Sequence, residues 1–171
     1  MIESATLNSI LFVTAFLIFV IVCIVRRTRA VDNYPTALNA DSIAPLLEKN
    51  GFSSLVEGPW IIFNHLGQEY TINTSKMPFL FIIKQTSLDG FLRYSNVFQD
   101  VAQTVSLDTA MVTIHLDGSP ANRVIFQVNA VENCITSFIE RLHIYLDLLD
   151  ETEALYFEEV RRKGIDNTIE V

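Results

Sequence analysis

The sequence is short of the residues from which most active sites are built. It has three histidines, His65, His115 and His143, and none stands at ligand spacing from a second metal-binding side chain. No phosphate-cradling glycine loop, Rossmann glycine pattern, nucleophile elbow or cysteine-rich zinc arrangement occurs. There are only two cysteines: Cys23 lies in an apolar run and Cys134 in the polar remainder, so an internal disulfide is not expected and both read as free thiols. Basic residues are scarce too, 12 Lys and Arg against 20 Asp and Glu. Arg26, Arg27 and Arg29 are three of the 12 and only Glu3 precedes them, which leaves 9 basic against 19 acidic side chains from Ala30 onward, a net of −10. Such a surface repels phosphate backbones, so no nucleic-acid partner is expected.

What the sequence does have is one concentrated apolar segment. In 171 residues there is room for a single domain and an appendage. Leu7 to Val25 is a 19-residue stretch without a charge. As a helix it would cover roughly 28 Å at about 1.5 Å per residue, close to the ~30 Å hydrocarbon core. Arg26, Arg27 and Arg29 follow the run, and no basic side chain precedes it within Met1 to Ser9. That order is a stop-transfer pattern and not a cleaved signal peptide, and the arginines assign their side to the cytoplasm. The expected organisation is a transmembrane anchor with its basic flank at 1–29, a linker at 30–40, a folded domain at 41–163 and a tail at 164–171. The expected location is the inner (cytoplasmic) membrane of a bacterial cell, single-pass, with the N-terminus out, the domain in the cytoplasm, and membrane lipid around residues 7–25.

Beyond the linker the periodicity predicts an α+β domain. Asp41 to Asn50 reads as a short helix with Asp41 as N-cap and Gly51 past its end. Phe52 to Val56, Trp60 to Phe63 and Tyr70 to Ile72 read as an antiparallel meander. Phe79 to Ile83 is an unbroken apolar run, expected as a central strand covered on both faces, with Phe81 in the core. Leu88 to Val105 carries the stripe Phe91, Tyr94, Phe98, Val101, Val105 of a second helix, capped by Ser87 or Asp89. Met111 to Leu116 and Arg123 to Val128 flank a turn. A long last helix from Ala130 to Lys163, capped by Asn129, follows the stripe Val131, Ile135, Phe138, Leu142, Tyr145, Leu149, Tyr156, Val160. The order is α-β-β-β(-β)-α-β-β-α, an antiparallel sheet with packed helices.

Leu46-Leu47-Glu48-Lys49-Asn50-Gly51-Phe52, Trp60-Ile61-Ile62-Phe63 ahead of Gly67, Tyr70-Thr71-Ile72 and Phe79-Leu80-Phe81-Ile82 together resemble the YbjN family. The resemblance implies the fold of type III secretion chaperones, often dimeric, used to hold other proteins. The N-terminal run is an addition to that pattern.

Function follows from these readings as expectations. The acidic group Asp147, Asp150, Glu151, Glu153, Glu158 and Glu159 reads as a solvated helix face and not a metal site, and no cofactor is expected. His115 and Asp117 can share a strand face but read as a turn-flanking pair, and Cys134 reads as a core thiol. No catalytic residue is assigned. The expected function is a membrane-anchored, protein-binding module without catalytic activity, a chaperone-like adaptor or regulator. The alternatives are a structural subunit of a membrane complex or an enzyme whose site the spacing hides. An exposed sheet edge can add a partner strand and aromatic side chains can fill partner pockets. Trp60 is the first candidate contact. Tyr156, Phe157 and Val160, on the overhanging end of the long helix, are candidates for pairing as a homodimer.

Overall fold

The computed structural model describes residues 38–76, 78–88, 90–109, 111–118, 120–132 and 134–165. The expected span at 7–25 and its arginines lie outside the described residues. Among the described residues no helix is long and apolar enough to cross a membrane.

The elements are α1 (Ala40–Lys49), β1 (Ser53–Glu57), β2 (Trp60–His65), β3 (Gln68–Lys76), β4 (Phe79–Ser87), α2 (Phe91–Asp108), β5 (Val112–Asp117), β6 (Arg123–Val131) and α3 (Ile135–Arg162). The six strands form one antiparallel sheet in the order β1-β2-β3-β4-β6-β5. Hairpin chemistry sets the first registers. Between β2 and β3 the loop is only Leu66-Gly67, with φ of 51° and 80°. A two-residue turn with both residues left-handed matches the twist of its strands, and glycine takes that conformation without steric cost.

All three helices share one face of the sheet. α3 crosses β4, β5 and β6, α2 packs against β5 and α3, and α1 against β1, β2 and α3. Every second strand residue meets them: Ile61 and Phe63, Tyr70 and Ile72, Leu80 and Ile82, Val112 and Ile114, Val124, Phe126 and Val128 are all buried. From α3 the residues Phe138, Leu142, Leu146, Leu149, Tyr156 and Val160 complete that core. Burial of this kind contributes about 1.5–3 kcal/mol for each large side chain.

Several expectations about element ends are corrected. Asn39, not Asp41, caps α1: its side chain accepts from Ser42 N–H while Ser42 returns a bond to the Asn39 backbone. With Leu38 already buried, the fold begins inside the expected linker. α2 starts at Phe91 after Gly90, a left-handed residue without a side-chain cap, and Ser87 ends β4 instead. Asp89 lies outside the described residues. β6 runs on to Val131, which takes Asn129 and Ala130 into the sheet, so α3 starts later and is capped by Cys134. At 28 residues α3 is about 42 Å long and unbroken through Asp150–Thr152. α2 contains a non-helical residue, Tyr94.

Candidate functional site

The second face of the sheet meets none of the three helices. The pairing registers place Leu55, Ile62, Thr71, Ile83, Gln127 and Thr113 in one row across all six strands of this face. A second row runs Glu57, Trp60, Asn73, Phe81, Asn129, and Phe79 lies beside Val131. Exposed here are Leu55 at 57%, Phe79 at 47%, Val131 at 56% and Trp60 at 39%. Among the described residues, the ionisable groups of this face stand at its rim: Glu57, Glu69, Lys76 over the Phe81 ring, the exposed His115 on the edge strand, and the Asp117–Arg123 pair at 2.9 Å. A neutral, aromatic-bearing centre in a chain whose net charge is −8 is the feature most suited to contact with another polypeptide.

Phe81, expected in the core, therefore points to the open side and is half-buried, while its neighbours Leu80 and Ile82 are fully buried. β4 is central in the sheet, between β3 and β6, but among the described residues helices cover only one of its faces. Trp60 also lies on the open face. Tyr156, Phe157 and Val160 do not overhang: they are 0%, 5% and 0% exposed inside the chain's own core, where Tyr156 donates to the Phe98 carbonyl at 3.3 Å. The expected helix-end contact surface is thus buried in the fold. Leu155 on the same turn remains exposed.

The helix-covered face holds one polar cluster that the sequence does not announce. Lys84 on β4 is 3% exposed, and its ammonium reaches Asp150 at 2.6 Å and Glu153 at 2.5 Å on α3. Tyr70 donates to Asp150 at 2.6 Å and Thr86 donates to Glu153. Burial works against the charged form of Lys84, but hydrogen bonds to Asp150 and Glu153 outweigh it and hold its pKa above the ordinary lysine value. The Tyr70 phenol is pushed far up by burial and then by its bond to Asp150. Asp150 is therefore not a spare acid on a solvated face. Nearer the helix start, buried Glu132 accepts from Tyr145 at 2.6 Å and pairs with Arg141 at 3.3 Å. The Tyr145 phenol is pushed up to about 12, chiefly by burial. Each of these groups is satisfied within the fold, which is what tying a helix to a sheet requires.

The remaining candidates do not assemble chemistry. His115 is exposed, and Asp117 is taken by Arg123. His65 and His143 lie 5.5 Å apart, centroid to centroid, around Phe52, and no group of three potential metal ligands exists among the described residues. Cys134 is not a core thiol: it is exposed, accepts from Ser137 N–H at 3.5 Å and lies 3.0 Å from the Ser137 hydroxyl. Those two contacts lower its pKa. A groove of about 680 Å³ between α2 and β5 is lined by Phe91, Ala102, Ser106, Ile114 and Leu116, with His115 at its margin.

With this geometry in hand, the chain can be compared with known proteins. No family model matches the sequence, and no curated protein matches it. Two solved structures share the fold. The crystal structure of YbjN, a candidate transcription regulator from E. coli, superposes with a TM-score of 0.53 at 11% identity, over 72% of this chain and 92% of that one. An uncharacterized protein from Methanothermobacter thermautotrophicus gives 0.50 at 12% identity, over 72% and 96%. The α+β, YbjN-like fold implied by the sequence resemblance is thereby supported, at identities that speak for fold alone.

Proposed function

We propose that this chain is a protein-binding module of regulatory or chaperone-like type, tethered to the cytoplasmic side of a membrane, and that its partner seats on the open face of the sheet. The single observation that carries the reading is that face. Six strands at about 4.8 Å spacing and roughly 20 Å of strand length give on the order of 600 Å², approaching the ~800 Å² that each partner contributes to a standard interface. Its centre sets aromatic and aliphatic groups among uncharged Thr, Asn and Gln side chains, so the partner segment it fits is uncharged with apolar anchors, and the rim charges set orientation. Support for the tether comes from the sequence: an uncharged 19-residue run followed by Arg26, Arg27 and Arg29. The description of YbjN as a candidate regulator is in keeping with a non-catalytic role.

Site-specific photo-crosslinking in native membranes tests the contact surface. A photoreactive residue at Trp60 or Phe79 is expected to give a discrete adduct of one size, abolished by Phe81→Glu. The same probe at Leu92 or Leu107, exposed on α2, is expected to give none. Equal adducts from all four positions would reject the open face as the site. A reporter fused after Val171 tests the tether: cytoplasmic activity is expected, weakened when Arg26, Arg27 and Arg29 become Asn.

A further inference from the structure

The two edges of the sheet are finished differently. At the β5 edge the Val112 N–H donates to the Thr109 carbonyl at 3.0 Å and the Ile114 N–H to the Ser106 hydroxyl at 3.2 Å, with α2 packed along the strand. Those bonds occupy donors that an added strand would need. At the β1 edge the backbone of residues 53–57 pairs with β2, α1 packs against the strand, and among the described residues no hydrogen bond reaches its outward backbone groups. The register with β2 is unbroken, and the strand contains neither Lys nor Pro. Leu55 and Val56 are exposed at its middle, and the Ser54 hydroxyl is buried without a hydrogen-bond partner. Sheets ordinarily blunt an edge with lysine, proline, a bulge or a covering helix, because a bare row of N–H and C=O groups recruits another strand.

We propose that β1 pairs antiparallel with β1 of a second copy of this chain, about a two-fold axis at Leu55. Charge selects the second copy as occupant. Pairing about Leu55 sets Ser54 opposite Val56 and Ser53 opposite Glu57, so the strand's single ionisable group never faces its own copy. Chains this acidic repel each other elsewhere, and this strand is a place where two copies meet without opposing like charges. The axis stands perpendicular to the sheet, so the two sheets become one of twelve strands with α1, α2 and α3 of both copies on the same side. Both open faces then form one continuous surface. This pairing replaces the helix-end homodimer expected from sequence, whose side chains are buried in the core. It does not depend on the proposed partner of the open face, and either can fail alone.

Disulfide trapping tests it on the full chain in mild detergent, with Cys23→Ser and Cys134→Ser as background. Opposed residues in an antiparallel pair have Cβ atoms about 4.5–5.5 Å apart, near disulfide range after a small adjustment. Leu55→Cys is expected to oxidise to a covalent dimer at least tenfold faster than Thr113→Cys on β5. Light scattering is expected to show a dimer for the unsubstituted chain and a monomer for Leu55→Lys. Equal trapping at both positions would mean random collision and overturn the proposal. So would a folded Leu55→Cys chain that stays reduced, an unsubstituted chain that is monomeric, or Leu55→Cys joined only to a different protein.

Discussion

Both faces of the sheet carry large apolar side chains, which on the second face alternate with Thr, Asn and Gln, and these side chains end in opposite states. On the helix side Ile61, Phe63, Leu80, Ile82 and Phe126 are at most 1% exposed. On the other side Leu55, Trp60, Phe79 and Val131 are left in water. Hydrophobicity alone therefore does not decide burial here, since Phe79, Leu80, Phe81 and Ile82 are consecutive and alternate between the two states. The strand phase that the helices cover separates these four, while Ile83, on the other phase at the centre of the sheet, is 9% exposed between its neighbouring strands. The covered face carries stability, and the open one is free to carry recognition.

The largest expected difference between the faces is seen in a pair of truncations. Phe126→Ala, from the fully buried side, is expected to cost about 3–5 kcal/mol, because a cavity is added to the lost transfer free energy. Phe79→Ala, nearly half exposed, is expected to cost less than about 1 kcal/mol. Denaturant unfolding of both checks this, and similar losses would erase the distinction between the faces. Next in size is the polar tie between β4 and α3. Lys84→Ala removes the cation from two carboxylates and is expected to cost about 2–3 kcal/mol. Asp150→Ala leaves Glu153 in place and is expected to cost about 1–2 kcal/mol.

These cases also mark what was legible in the sequence. The element order, the sheet's antiparallel character and the central place of β4 are readable, because apolar period and turn residues are local signals. The face of Phe81 is not readable: in Phe79-Leu80-Phe81-Ile82-Ile83 both strand phases are apolar, so alternation carries no information. Asp150 and Glu153 look like part of a solvated acidic run because their partner, Lys84, is 66 residues from Asp150. Val131 fits the stripe of the last helix and yet belongs to β6, since a β-branched residue beside Val128 and Ala130 suits either element. The open face could be found only once the registers were known, although Trp60 pointed toward it. Tyr156 and Val160 looked stranded on an overhanging helix because the late start of α3 was hidden in that same ambiguity.

Alkaline pH acts on the helix-covered side of the sheet. Tyr70, Tyr145 and Tyr156 all lie there with pKa values raised by burial, and Lys84 is raised by its carboxylates. A raised folded-state pKa gives stability that is complete below the unfolded-state value, about 10 for both types, and is lost as pH rises beyond it. Unfolding midpoints are expected to be flat up to about pH 10 in these groups and to fall above it, with Tyr70→Phe flattening the decline. No steepening above pH 10 would contradict their burial as neutral or paired groups. The smallest expected effect is at the exposed start of α3. Cys134 is expected to be alkylated by iodoacetamide at lower pH than a free thiol, and Ser137→Ala to raise its apparent pKa, in a Cys23→Ser background. An unchanged pH profile would remove the Ser137 contacts as its cause.

The most direct test of the central claim, that the open face is held for a protein partner, is side-chain footprinting by carbene labelling of the intact chain, purified and in native membranes. Trp60, Phe79 and Val131 are expected to label strongly in the purified chain and to become protected in membranes, while Leu92 and Leu107 label equally in both. Equal labelling of Trp60 and Phe79 in the two states would contradict the claim, because the face would then have no occupant in the membrane preparation.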